Sequence, residues 1–326
     1  MTAQTNTKRR RHSRIHRIVK SIRYFLGRRA IRIFFFIPHI IPFSWALSFS
    51  KILVNMVYHI PGIYRRQALT NLKLFFGKNK SYREIKDIAR NVSMEATKGF
   101  FELAYAVSPR QEELYSSIEI EGIEHLDAAL ERGKGVIALS AHLGNFTIMG
   151  GKLVSEGYPF NMVLKLPHDR GISEFLKLRM EQYNHKFILA DPTIESQKEI
   201  IRSLRRNEIV CLIADGDQKF GGIPVKLMGQ EIAVPPGPAI LAKRTGATIL
   251  PMFIIRQPND SHKIIIDPPV KVDGDESYNH GIVQLTIKLT RIIENYICQY
   301  PTQWYWVNKK HRYNRYRKKL KEGKFK

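Results

Sequence analysis

Apolar positions along this chain switch between two periods. After residue 134, short β-branched runs alternate with stretches in which apolar residues recur every three or four positions. Val136–Leu139, Phe160–Leu164, Phe187–Ala190, Glu208–Ala214, Ala247–Ile255 and Lys263–Ile266 read as strands. Several are apolar almost throughout, as strands covered on both faces are. Between them the spacing predicts helices from Phe146 to about Glu156, within Ser173–Tyr183, over Glu195–Arg206 and over Ile282–Tyr296. A short helix is predicted at Pro238–Arg244, where a proline in the first turn sacrifices no hydrogen bond. This alternation predicts an α/β fold, with a mostly parallel central sheet flanked by helices. Residues 84–130 read as helices capping one end of it, and no solenoid repeat is visible.

The first 60 residues follow another pattern. Ile15, Ile18, Val19, Ile22, Phe25 and Leu26 recur at helical spacing, with Arg14, Arg17, Lys20 and Arg23 between them. This is the pattern of a basic amphipathic helix lying in a membrane interface. Ile33–Ser50 is rich in Phe and Ile but interrupted by Pro38, His39 and Pro42. Its length leaves both a re-entrant anchor and a single span open. The expected organisation is a membrane-associated segment over residues 1–60, a domain over 61–308 and a basic tail over 309–326.

Charge sharpens that division. The net charge is +24, yet residues 1–83 carry 18 Lys and Arg and no acid, Glu84 being the first. Residues 309–326 contribute a further +9, which leaves residues 84–308 at −3. Basic ends on a nearly neutral body point to an anionic membrane surface rather than to nucleic acid, whose enzymes carry their basic residues around the site. The long basic start and the late apolar run do not form a cleavable signal peptide. Cys211 and Cys298, the two cysteines, read as free thiols and cannot make a zinc site alone.

Candidate chemistry centres on Ser140-Ala-His-Leu-Gly-Asn-Phe-Thr147. His142 follows a predicted strand and precedes a predicted helix, on the edge where open α/β sheets build their sites. An imidazole there can accept a proton near neutral pH. Backbone N–H groups around Gly144 and Asn145 are candidate donors to a developing oxyanion, and Asn145 is equally a candidate helix cap. Asp215 and Asp217 follow the strand Glu208–Ala214, so parallel topology brings their carboxylates to the same edge as His142. Lys165, just after Phe160–Leu164, can meet a phosphate. Near the end lies Pro301-Thr-Gln-Trp-Tyr-Trp306, whose indoles suit either a membrane interface or packing against the body. Ser140 lacks the Gly-x-Ser-x-Gly elbow of a serine hydrolase, and no metal-ligand cluster is visible.

In order and spacing these segments resemble the lipid A biosynthesis acyltransferases, within the larger lysophospholipid acyltransferase group. The resemblance runs from the basic N-terminal segment through His142 and Asp215-Gly-Asp217 to Gln303-Trp-Tyr-Trp306. It implies a glycerol-phosphate acyltransferase-like fold at the cytoplasmic face of an inner membrane. It also implies transfer of a fatty acyl chain from acyl carrier protein or coenzyme A to a hydroxyl of a membrane lipid, the thioester being substrate and no cofactor being needed. The family signature is His-x-x-x-x-Asp/Glu, which carries the catalytic histidine over to His142. Thr147 stands where the acid should be, and the next acid is Glu156. Asp215 is therefore the expected orienting carboxylate, with Thr147, Gly144, Asn145, Lys165 and Asp217 expected to contact substrate. A second reading of Thr147 is a lipid- or acyl-carrier-binding protein of the same fold with weakened catalysis.

Overall fold

The computed structural model describes residues 24–58, 63–77, 79–190, 194–216, 218, 221–272 and 277–306. Asp217, the tail 309–326 and all but residues 24–26 of the amphipathic stretch Arg14–Leu26 lie outside them.

The predicted strands form with nearly the expected bounds. They are β2 (Val136–Ser140), β3 (Phe160–Leu164), β4 (Phe187–Leu189), β5 (Ile209–Ile213), β8 (Thr248–Arg256) and β9 (His262–Ile266). With β1 (Ile118–Glu121) they make a seven-stranded sheet in the order β1-β9-β8-β2-β5-β3-β4. Every pairing is parallel except β8 with β9. Two elements depart from expectation. β1 interrupts the stretch read as purely helical, its Ile-Glu-Ile-Glu alternation giving one buried face at a sheet edge. Residues 223–234 form an antiparallel hairpin, β6 (Ile223–Leu227) with β7 (Gln230–Val234). Met228 and Gly229 turn it with φ of +47° and +74°.

Alternation along β2 sorts the core into two layers. Ile137 and Leu139 pack with Phe253 and Ile255 of β8 against helices Gly237–Thr245 and Tyr278–Gln299. Val136 and Ala138 face the other way, with Leu250, Met252 and Ile254, towards helices Tyr82–Ala106, Ile123–Glu131 and Phe146–Ser155. All nine residues of β8 are buried, as expected of a central strand covered on both faces.

Helix Tyr82–Ala106 starts at a capping box: Ser81 accepts from the Glu84 N–H, and Glu84 accepts from the Ser81 N–H. Before it, residues 24–34 are helical, Ile37–His39 make one tight turn, and Pro42 precedes helix Phe43–Val57. The prolines thus divide Ile33–Ser50 into short pieces. Among the described residues no helix is long and apolar enough to cross a membrane.

Candidate active site

β2 and β5 are neighbours, with Ser140 in register with Ile213. Two residues beyond each partner stand His142 and Asp215, so the parallel ladder itself brings them together. Asp215 Oδ1 lies 2.8 Å from His142 Nδ1, and Oδ2 accepts the His142 backbone N–H at 3.0 Å. The Asp215 carboxylate is fully buried, whereas the imidazole is 39% exposed. A third donor, Trp304 Nε1, reaches Asp215 Oδ2 at 2.6 Å.

Burial opposes a charge on either group, but each favours the charged form of the other. Asp215 raises the His142 pKa above its ordinary value through charge and hydrogen bond. His142 and the Trp304 N–H likewise keep the Asp215 carboxyl below the usual carboxylate range despite desolvation. With Nδ1 committed to Asp215, Nε2 is the nitrogen left to exchange a proton with a substrate.

Residues 301–306 lock this geometry. Leu143 and Trp304 form an antiparallel bridge. Tyr305 N–H donates to the His142 carbonyl, and Gly144 N–H donates to the Gln303 carbonyl, each at 3.0 Å. The Gln303 amide exchanges two 2.9 Å hydrogen bonds with the backbone of Arg256, at the end of β8. Trp304 and Trp306 are both buried, with ring centroids 4.5 Å apart, so these indoles pack in the body and not in a membrane interface. Gly144 has φ of +58°, and a Cβ there would meet the Ile254 carbonyl oxygen at 1.8 Å. Only glycine fits. Its N–H is already taken by Gln303, which removes it from the expected oxyanion donors.

Asn145 precedes helix Phe146–Ser155 but makes no side-chain cap. Its Nδ2 turns inward, to Glu102 at 2.7 Å and the Gly99 carbonyl at 3.2 Å. Its Oδ1 accepts the Thr147 hydroxyl. Ile148 N–H donates to the Asn145 carbonyl at 3.1 Å, and the N–H groups of Phe146 and Thr147 before it have no side-chain cap. Glu102 is fully buried and ion-paired with Arg256, which is itself paired with Glu95. Burial pushes the neighbouring His262 down to about 4. Burial disfavours charge on Glu102, but the neighbouring His262 and Arg256, with hydrogen bonds from Arg256 and Asn145, hold its carboxyl below the ordinary value.

Two pockets meet at His142, Phe146 and Thr147. The larger, about 420 Å³, is mostly apolar and runs along β3 past Gly150, Phe160 and Met162 to His185. The exposed Lys165 stands on its wall. The smaller, about 280 Å³, opens between Gly99, Phe100, Arg256 and Tyr305. Of the sequence candidates, His142, Asp215, Asn145, Thr147 and Lys165 therefore converge. Gly144 shapes the turn, and Asp217 lies outside the described residues.

Residues 15–313 match the sequence family described as bacterial lipid A biosynthesis acyltransferase. The chain belongs to that family. It is 22% identical over 255 residues to the lipid A biosynthesis palmitoleoyltransferase of Escherichia coli, covering 77% of this chain and 80% of that one. Similarity to the phosphatidylinositol mannoside acyltransferase of Mycobacterium tuberculosis is higher, 33% identity, but spans only 133 residues. That match covers 40% of this chain and 42% of the relative's length. The corresponding protein of Mycolicibacterium smegmatis is 25% identical over 195 residues, 60% of this chain and 62% of the relative.

Glu102, Arg256 and Trp304 were not singled out as site residues from sequence. Glu102 left a trace: the buried helical stripe Ile85, Ala89, Val92 continues into Glu95, Lys98 and Glu102. A charged run on a core-facing stripe marks a buried polar network.

Proposed function

We propose that this protein is an O-acyltransferase, moving a fatty acyl chain from a thioester, on acyl carrier protein or coenzyme A, to a hydroxyl of a membrane lipid. The observation that carries this reading is the His142 Nδ1–Asp215 Oδ1 contact, with the rest of the ring open to two pockets. His142 Nε2 takes the proton of the acceptor hydroxyl as its oxygen attacks the thioester carbonyl. Asp215 fixes the tautomer and stabilises the imidazolium. The N–H groups of Phe146 and Thr147, two residues that line both pockets, are the donors we assign to the developing oxyanion. As the tetrahedral intermediate collapses, the C–S bond breaks and the imidazolium returns its proton to the thiolate. The products are an ester and a thiol. The apolar pocket along β3 suits an acyl chain, and Lys165 suits a phosphate of either substrate. Asp215 gives the base an orienting carboxylate although position 147 is Thr, which favours an active enzyme over a binding protein.

The membrane part of this reading rests on an exposed apolar face. Trp45, Phe49, Ile52 and Met56 project from one side of helix Phe43–Val57, while Ala46, Leu47, Ser50 and Val54 are buried on the other. Phe25, Leu26, Ile33, Phe36 and Ile40 add exposed apolar surface on the preceding segment, beside the exposed Arg29 and Arg32. Large apolar side chains with interspersed cations are suited to an anionic lipid surface at the cytoplasmic face of an inner membrane. Mass spectrometry of lipids from cells lacking the protein tests the reaction. A lipid that loses one acyl mass, restored by the wild-type protein and not by His142→Ala, is expected. An unchanged lipid profile contradicts it.

A further inference from the structure

Thr147 departs from the acid its position implies, and its surroundings explain what it does instead. The Asn145 amide has only one orientation that satisfies its neighbours. Glu102 and the Gly99 carbonyl are both acceptors, so the NH₂ end must face them and Oδ1 must face Thr147. Glu102 is anionic because Arg256 lies against it, so it cannot reverse that polarity. The Thr147 hydroxyl then spends its only proton on Asn145. Thr147 lines the same two pockets as His142, and its hydroxyl oxygen keeps two lone pairs. Among the described residues no donor reaches them.

We propose that Glu102 is a positioning residue that fixes Thr147 as a hydrogen-bond acceptor beside His142, and that the site thereby selects a substrate bearing an O–H or N–H donor next to its reacting group. This rests on the acyl-transfer reading. The reacting hydroxyl cannot be that donor, because its proton goes to His142. The shared chemistry has two sources: a second hydroxyl on a polyol acceptor, or the amide N–H of the pantetheine arm behind the thioester. An unsatisfied acceptor in the wall penalises a substrate that brings no donor, which is how polar sites discriminate.

Matched probes separate the two sources. Octyl glucoside, with neighbouring hydroxyls, is compared with 1-octanol as acceptor. An acyl N-acetylcysteamine thioester, which carries the amide, is compared with the acyl butanethiol thioester as donor. The wild type is expected to favour the donor-bearing member of one pair by roughly tenfold in kcat/KM, the worth of one hydrogen bond. Thr147→Ser keeps that ratio and Thr147→Val brings it to about one. Glu102→Gln, whose amide can also donate to Asn145 and so frees the polarity, lowers it, and Glu102→Ala loses it. Should Glu102→Ala fail to fold, the Thr147 pair and Glu102→Gln still decide. Transfer with no preference in the wild type, or a ratio that survives Thr147→Val, overturns the inference alone. A ratio unchanged in folded Glu102→Ala or in Glu102→Gln overturns the role of Glu102. Absence of His142-dependent transfer to every probe overturns the acyl-transfer reading beneath it.

Discussion

In the proposed reaction His142 serves as the base because one buried carboxylate does three tasks at once. Asp215 receives the ring nitrogen, the backbone N–H of the same histidine and the Trp304 indole. The imidazole is thereby fixed in position, tautomer and charge preference. Since the proton acceptor must be neutral and its pKa is raised, the rate of acyl transfer should fall as pH drops, with a midpoint higher than that of an unperturbed histidine. Asp215→Asn removes the charge that raises it, so the acid limb of the pH–rate profile should move to lower pH. The plateau should drop by roughly a hundredfold or more, as loss of an orienting acid does. A plateau near wild type with an unmoved limb would remove Asp215 from the mechanism.

At the scale of elements, the site is three connections held by one short segment: the turn after β2, the loop after β5 and the end of β8, tied together by residues 301–306. Trp304→Phe keeps the ring packing against Trp306 and Phe75 but deletes the donor to a buried carboxylate. A loss of about 1.5–3 kcal/mol in denaturant-induced unfolding is expected, typical for a hydrogen bond to a charged group. A change under about 0.5 kcal/mol would mean that the indole N–H contributes little. Much of this level was legible in the sequence, because apolar strand runs and strand–helix alternation follow from burial on both faces of a sheet. His142 and Asp215 could be paired because parallel strands end on one edge. The Trp304 link was not legible: it joins residues 89 apart through a side-chain donor that no periodicity encodes. The β6–β7 hairpin was missed because Met228-Gly229 lacks the Asn or Asp that usually announces such a turn. β1 was lost inside a stretch dominated by helical spacing.

Across the whole molecule, the chain divides its charge and its apolar surface between ends and body. The body buries its core on both faces of the sheet, while helix Phe43–Val57 leaves four large apolar side chains exposed. Because those side chains are solvent-facing, replacing Trp45 and Ile52 together by Asp should leave thermal stability nearly unchanged. It should weaken co-sedimentation with phosphatidylglycerol vesicles several-fold. Binding equal to wild type would assign the contact to another surface. The central claim is that this architecture transfers acyl chains using His142, and the most direct test follows the label. Purified protein is given a radiolabelled long-chain acyl thioester and detergent-dispersed bacterial membrane lipids, and lipid-bound label is counted for wild type and for His142→Ala of matched folding. Label should move into alkali-labile lipid ester with the wild type and stay at background with His142→Ala. Equal transfer by both proteins would contradict the account.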